Sequence, residues 1–222
     1  MEILARRRRT GQISPIQRCG LAPLTLPHDW SIEGKFDEKN PAKPEGGGLP
    51  TGVGWYRKTF TLPATRGRSV FIEFDGVYQN SEVWLNGHSL GKRPNGYISF
   101  RYELTRYLQP AGKPNVLALR VDNSAQPNSR WYTGSGIYRN VRLVTTHQVA
   151  VDHWGTFVTT PKVSAQAATV SVQTTIRNTT GQRQTVRLFT TILDASGRKV
   201  AEATAATVSV TGARQTLRSD SA

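Results

Sequence analysis

The sequence contains one cysteine, one methionine, few acidic residues and no long hydrophobic run. A single cysteine, Cys19, excludes an intramolecular disulfide and a cysteine-rich metal site. No segment reaches the roughly 18 consecutive apolar residues of a membrane span, and no apolar run follows the basic N-terminus as it would in a secretory signal. We therefore expect no membrane partner, and the sequence leaves the compartment of the protein open.

Acidic residues are outnumbered by basic ones, because 29 Lys+Arg face 15 Asp+Glu, giving a net charge of +14 in 222 residues. Four consecutive arginines at residues 6–9 form the one dense basic cluster. Such a run can contact nucleic acid, but an isolated basic tail is typically a solvated terminus. We predict a disordered basic leader over residues 1–20 and no nucleic-acid partner. A basic nucleic-acid-binding β-domain stays the less favoured alternative.

Helical periodicity is almost absent. Short segments rich in Val, Thr, Phe and Leu, several of them alternating with period two, are bounded by Gly, Pro or Asn, which is typical of half-buried strands. We predict strands over residues 70–74, 81–87, 115–123, 140–146, 168–178 and 184–195. Asn86-Gly87 predicts a two-residue hairpin turn. Many short strands without intervening helices predict an all-β fold of antiparallel sheets, a sandwich or jelly roll.

The length and a change in composition predict two domains. The chain is too short for a (β/α)₈ barrel of about 250 residues. Aromatic residues become sparse after about Gln148, so we place a first domain at residues 21–147 and a second at 148–222. The second has about five strand patterns where an immunoglobulin-like sandwich has seven, so we predict that it is truncated. Residues 37–54, rich in Gly, Pro and charge, predict a long loop.

Catalytic and metal-binding motifs are missing from the sequence. The four histidines lack metal-ligand spacing, and no nucleophile elbow or phosphate-binding loop is present. Five carboxylates are candidates by residue type alone, and no spacing selects a pair for glycoside hydrolysis: Asp29, Glu33, Asp75, Glu82 and Asp122. We predict no catalytic residue, no metal and no cofactor. Aromatic rings near amide and guanidinium donors suit carbohydrate recognition, although residues such as Trp84 and Trp131 are more often part of a core than of a ligand site.

Four segments in order carry a family resemblance: LPHDWSIEGKFDEKNP, GVGWYRKTFTLP, FDGVYQNSEVWLNGHSLGKRPNGY and NSRWYTGSGIYRNVRL. Together they cover most of residues 21–146 and resemble the non-catalytic N-terminal part of glycoside hydrolase family two. That family includes β-galactosidases, β-glucuronidases and β-mannosidases. The resemblance implies a galactose-binding-like jelly-roll β-sandwich followed by a partial immunoglobulin-like β-sandwich.

The resemblance also implies a function. Family members carry two catalytic Glu residues in a third, barrel domain, which these 222 residues do not hold. We therefore expect the non-catalytic, carbohydrate-binding part of a β-galactosidase-like hydrolase, inactive alone and encoded by a fragment of a larger gene. A stand-alone carbohydrate-binding module is the alternative. Galactose is favoured over glucuronate or mannose, and the oligomeric state is left open.

The resemblance suggests three substrate-binding residues. Arg130 occupies the position of a sugar-contacting Asp in several relatives, and Tyr78 that of a sugar-contacting Asn in a β-galactosidase. Asn80 follows two residues later, and strand alternation would put it on the same face as Tyr78. Asp29 and Trp30 are expected to anchor their loop to the sandwich.

Overall fold

The computed structural model describes residues 2–8, 22–204, 207–211 and 213–221, with side chains described between residues 23 and 219 of those ranges. The chain divides into two compact units, Met1–Thr145 and Thr146–Ala222, called unit 1 and unit 2 here. Strands dominate both, and helix is limited to single 3₁₀ turns at Pro44–Gly46 and Thr105–Tyr107 among the described residues. The predicted all-β fold class is confirmed.

Unit 1 is built from two antiparallel sheets. Its strands are β1 Glu2–Arg8, β2 Ala22–Thr25, β3 Gly52–Phe60, β4 Arg68–Phe74, β5 Ser81–Leu85, β6 His88–Arg93, β7 Phe100–Glu103, β8 Asn115–Asn123 and β9 Val141–His147, the last of which runs into unit 2. Six strands form one sheet in the order β2-β1-β3-β8-β5-β6, and three form the other in the order β7-β4-β9. The predicted boundaries of β8 coincide with the observed ones.

The core of unit 1 lies where apolar faces of the two sheets meet. Strand β8 alternates strictly between buried and half-buried positions, as a strand with one inward face should. Its inward residues Leu117, Leu119 and Val121 join Val70, Ile72 and Phe74 of β4 in one buried cluster. Both ends of β8 instead bury an asparagine, Asn115 and Asn123.

Two local predictions can be compared directly with the backbone. The Asn86-Gly87 hairpin is confirmed, since both residues have positive φ, 51° and 85°, between β5 and β6. The loop that begins at residue 37 ends where β3 starts at Gly52. Hydrogen bonds within the loop connect its first residues to its last ones. The Asp37 amide donates to the Gly48 carbonyl over 3.0 Å, and the Asn40 side-chain amide donates to the same carbonyl over 2.8 Å.

The N-terminal segment differs from its prediction where it is described. Strand β1 pairs antiparallel with β2 and β3, for example Ala5 opposite Tyr56, whereas a disordered leader is expected from the sequence. The expectation rested on the charge of the arginines, whereas the backbone N–H and C=O groups of this segment pair with the edge of β3 despite that charge. The remainder of the predicted leader, residues 9–20 with Cys19, lies outside the described residues.

Unit 2 consists of small sheets. Its strands are β10 Val149–Val163, β11 Ala168–Asn178, β12 Gln184–Val186, β13 Phe189–Leu193, β14 Lys199–Thr204, β15 Val208–Val210 and β16 Arg214–Ser221. They pair as β10-β11-β16, β12-β15 and β13-β14. The single strand predicted over residues 184–195 is therefore two strands in two sheets. The buried apolar cluster is small and contains Ile176, Val210 and Leu217.

A charge cluster around a buried carboxylate connects the three strands β10, β11 and β16 of unit 2. Arg177 of β11 lies directly opposite Arg214 of β16. The carboxylate of Asp152 on β10, with 6% of its side chain exposed, pairs with both guanidinium groups. Because like charges opposite each other destabilise a sheet, this carboxylate offsets a repulsion that the pairing would otherwise impose.

Neither a membrane-spanning helix nor a metal-binding cluster is present among the described residues. No helix there is long and apolar enough to cross a membrane. No group of three or more His, Cys, Asp and Glu side chains in that part of the chain is arranged to hold a metal ion.

Candidate functional site

The predicted site residues belong to loops at one end of unit 1. At this end β3 begins and β8 finishes, and Gly52 is paired with Asn123. The segment between β8 and β9, residues 124–140, is called the 124–140 loop. It contains Arg130, and its position depends on contacts with three other parts of unit 1.

Asn123 ties the beginning of the 124–140 loop to its later part. Its side-chain amide nitrogen donates to the Gly134 carbonyl over 3.0 Å and to the Ser135 hydroxyl over 2.9 Å. Its side-chain oxygen accepts from the amides of Gln126, over 2.8 Å, and Asn128, over 2.9 Å. Since Asn123 is fully buried, these bonds are shielded from water and fix the loop to the end of β8.

Backbone bonds hold the second half of the loop from two sides. On one side, His28 donates to Ile137 over 2.8 Å and Trp30 donates to Ser135 over 3.1 Å. On the other, Tyr78 and Gly136 exchange two bonds of 2.9 Å each. The loop is thereby inserted between the segments around residues 28–30 and 78.

Asp29 fixes the tip of the loop through its carboxylate. One oxygen accepts from the Ser31 amide over 2.9 Å and from the Ser135 amide over 2.8 Å. The other accepts from the Tyr132 hydroxyl. Burial, followed by this carboxylate, raises the pKa of Tyr132, so the phenol stays protonated and donates at neutral pH. Asp29 and the buried Trp30 anchor their segment, as the sequence suggests.

Tyr78 is placed inside unit 1 and its ring is 4% exposed. The ring contacts the ring of Tyr97 edge to face, with centroids 5.3 Å apart. Burial raises the pKa of Tyr78, and the neighbouring Tyr97 adds to the shift. A ring so covered leaves little surface for a ligand to contact.

Asn80 is half-buried and engaged with the backbone. Its main-chain amide donates to the Pro94 carbonyl over 3.1 Å, and its side-chain amide donates to the Asp122 carbonyl over 3.2 Å. The expected strand alternation with Tyr78 does not apply, because residues 78–80 form a bend in which Asn80 has φ of 47°. A left-handed residue redirects its side chain relative to a strand.

Arg130 is the predicted site residue that is open to solvent. Its guanidinium makes no hydrogen bond or ion pair with the part of the chain that the structure describes. A guanidinium carries five N–H donors, which suits hydroxyl or carboxylate oxygens of a ligand. The three predicted residues belong to loops at the same end of unit 1 and differ in access, because Tyr78 is buried, Asn80 is half-buried and Arg130 is exposed.

Trp131 and Tyr97 are absent from the predicted site residues. Trp131 is 60% exposed and Tyr97 is 53% exposed, and the indole N–H donates to the Tyr97 hydroxyl over 3.2 Å. From composition, the sequence favours a core position for Trp131. Its polar neighbours in the sequence, Arg130 and Tyr132, were the available signal that this tryptophan does not belong to an apolar strand face.

All five candidate carboxylates have structural partners. Asp29 is described above, and Glu33 contacts His28 at 3.1 Å. Asp75 accepts two bonds of 2.7 Å from Arg142, while Glu82 and Asp122 both pair with Arg120. These contacts give each carboxylate a role in holding unit 1 together. The exposed end of unit 1 carries the Arg130 guanidinium and the exposed rings of Trp131 and Tyr97.

The sequence is similar to one known protein family and to several known proteins. Residues 52–151 match the family "Glycosyl hydrolase 2 galactose-binding domain-like". The chain is 55% identical over 180 residues to the β-galactosidase BoGH2A of Bacteroides ovatus, covering 81% of this chain and 21% of that protein. It is 44% identical to a putative β-glucuronidase of Formosa agariphila, covering 80% of this chain and 17% of the relative.

A solved structure shares both units. A glycosyl hydrolase family 2 member from Bacteroides cellulosilyticus superimposes with a TM-score of 0.90 at 33% identity, covering 99% of this chain and 29% of that one. The chain contains the N-terminal galactose-binding-like domain of glycoside hydrolase family 2. The predicted family resemblance is confirmed. This family 2 chain spans about a fifth of the length of the two curated relatives.

Proposed function

We propose that unit 1 is the sugar-contacting, non-catalytic part of a β-galactosidase-like glycoside hydrolase, an enzyme that hydrolyses O-glycosyl bonds. Arg130 is its principal sugar contact. The observation that carries the proposal is an exposed guanidinium at the tip of a loop that buried bonds hold in place, within a galactose-binding-like domain. Because the loop is ordered before binding, little conformational entropy is lost when a sugar is bound.

The remaining predicted residues take supporting roles in this proposal. Tyr78 carries the backbone bridge to Gly136, and Asn80 connects the segment to β8 through Asp122. Both hold the surface on which Arg130 stands. Catalytic carboxylates would belong to a part of the protein beyond these 222 residues, so this chain alone has no glycosidase activity.

The proposed sugar is a β-galactoside. Relatives named as β-galactosidase and as putative β-glucuronidase cover nearly the same share of the chain, 81% and 80%, and the β-galactosidase has the higher identity, 55% against 44%. A guanidinium donates equally well to galactose hydroxyls and to the carboxylate of a uronic acid. The binding test therefore uses a β-glucuronide as the second ligand beside the β-galactoside.

The test is calorimetric or NMR titration of the 222-residue chain with methyl β-D-galactoside and methyl β-D-glucuronide. We expect millimolar binding of the galactoside that is insensitive to salt, whereas binding to nucleic acid would weaken steeply with salt. Arg130→Ala should weaken binding by about 1–2 kcal/mol through lost hydrogen bonds.

Arg66→Ala is the matched control. Arg66 is also an exposed arginine, and it lies in the turn after the far end of β3, opposite the end where Gly52 begins. Its removal should leave galactoside binding unchanged. No binding by the chain, or equal binding by the Arg130→Ala variant and the wild type, would overturn the proposal.

A further inference from the structure

Two exposed aromatic side chains, Trp131 and Tyr97, meet at the end of unit 1 that carries Arg130. Large aromatic rings are usually covered in a folded domain, yet Trp131 and Tyr97 leave more than half of their surface to solvent. They come from separate segments, 34 residues apart in sequence, and meet through the bond between the indole N–H and the Tyr97 hydroxyl. The pair is called the aromatic platform below.

Tyr97 is held rigidly from beneath. Its ring stands against the buried ring of Tyr78, and its main-chain amide donates to the Asn95 side chain over 2.8 Å. The preceding Gly96 lies so close to Tyr78 that a Cβ at this position would stand 2.1 Å from that ring. The Gly96 carbonyl accepts from the Tyr138 hydroxyl over 2.7 Å. The segment therefore rests directly on the core.

Trp131 is held by the loop that carries Arg130. The Ser129 hydroxyl donates to the Trp131 carbonyl over 2.7 Å, which closes a short turn around Arg130. The adjacent Tyr132 is bound to Asp29. With its one polar atom engaged by Tyr97, the indole presents apolar ring faces to its surroundings. Ring faces that are fixed in place and exposed suit stacking against a flat apolar partner.

We propose that the aromatic platform stacks against the apolar C–H face of a pyranose that adjoins the sugar bound by Arg130. The substrate class would then be a β-linked galacto-oligosaccharide. This inference rests on the proposed function. The aromatic platform provides exposed ring faces for stacking, and Arg130 directly precedes Trp131 in the chain, so one loop segment carries both a polar and a stacking group. A sugar has both kinds of surface, whereas a purely apolar protein segment would leave the guanidinium unused.

The test compares ligands of increasing length on the 222-residue chain. Methyl β-D-galactoside, β-galactobiose and β-galactotriose are titrated by NMR or calorimetry. We expect the di- and trisaccharide to bind roughly tenfold more tightly than the monoglycoside, because only they reach the platform. Trp131→Ala should remove this gain with length and leave the Arg130-dependent monoglycoside binding in place, and Trp131→Phe should restore much of the gain.

Phe36→Ala is the matched control, because Phe36 is 79% exposed and lies in a different loop of unit 1. Its affinities should equal those of the wild type. Circular dichroism checks that each variant is folded, and Tyr97→Ala supplies an independent disruption of the platform. A length-dependent gain that persists in Trp131→Ala overturns this inference while the proposed function stands. Absence of all galactoside binding overturns both, and a gain for peptides instead of sugars assigns the platform to a protein partner.

Discussion

The candidate site depends on single residues at which two backbone segments come very close to each other. Gly136 stands at the centre of the arrangement, because its backbone exchanges two bonds with Tyr78. It has φ of +122°, and a Cβ placed there would lie 2.2 Å from the Tyr56 hydroxyl and 2.9 Å from the His28 carbonyl. Glycine is required at this position for both its conformation and its lack of a side chain.

Gly136→Ala should therefore destabilise unit 1 by about 3 kcal/mol or more, since core contacts or the backbone must shift. Gly112→Ala separates the two causes, because Gly112 also has positive φ, +74°, but open space around it. That variant should lose only about 1 kcal/mol. Hydrogen exchange of unit 1 amides measures both values, and equal losses would contradict the importance of the close approach.

At the scale of elements, strand β8 organises unit 1 at both of its ends. Asn115 at its start accepts from the Gln109 amide over 2.8 Å and from the Asn86 side chain over 3.0 Å. Asn123 at its finish holds the 124–140 loop. The apolar residues between them belong to the core. One strand thus connects a hairpin at one end of the unit to the candidate site at the other.

Asn123→Ala should release the 124–140 loop, because it removes both donors to Gly134 and Ser135 and leaves polar partners unsatisfied. We expect a loss of about 2–4 kcal/mol in stability, faster hydrogen exchange over residues 126–135 and weaker galactoside binding. Asn115→Ala, an equally buried change at the other end of the strand, should cost similar stability without affecting the loop or binding. Equal loop exchange in the two variants would contradict the role given to Asn123.

The sequence was informative about strands and less so about the site. Alternation and turn residues identified β8, β11 and the hairpin at Asn86-Gly87 because such patterns are set by local geometry. The period of two also led to an error at residues 78–80, where the backbone bends and Asn80 adopts a left-handed conformation. Strand β1 was not predicted, because the run of arginines at residues 6–9 indicated a solvated terminus.

Which of the predicted site residues are exposed depends on tertiary contacts. The family resemblance located Arg130, Tyr78 and Asn80 in one region, but a tyrosine looks the same in sequence whether its ring is covered or open. Burial of Tyr78 depends on Gly96 and Tyr97, which are distant in the chain. The exposure of Trp131 likewise depends on bonds formed 34 residues away. Such contacts are not contained in local patterns.

At the scale of the whole molecule, the two units differ in how much apolar surface they bury. Unit 1 has one extended buried cluster that includes Trp30, Tyr56 and Phe74. The described core of unit 2 contains Ile176, Val210 and Leu217, and strand β10 exposes Trp154 and Phe157 on its surface. Since apolar burial is the main favourable contribution to folding, the units should differ in stability.

We expect unit 2 to open first on heating, with unit 1 resisting to a higher temperature. Limited proteolysis at increasing temperature, followed by mass measurement, should yield a stable product that ends near Thr145, the last residue of unit 1. Calorimetry should show two transitions in the same order. A single cooperative transition, or protection that extends equally to the C-terminal strands, would contradict independent stabilities.

The apolar core of unit 2 is small, so it specifies the alignment of the strands only weakly. The ion pairs of the buried Asp152 add to that specification. The carboxylate meets Arg177 and Arg214 only when β10, β11 and β16 are aligned as observed. A slip of one residue in β10 or β11 turns one member of the buried Asp152–Arg177 pair to the opposite face and leaves a charge buried alone. A slip of β16 removes the second partner, Arg214, whose side chain is 68% exposed. The cluster therefore favours the observed alignment of β10 and β11 over alignments shifted by one residue, because a buried charge without a partner is strongly destabilising.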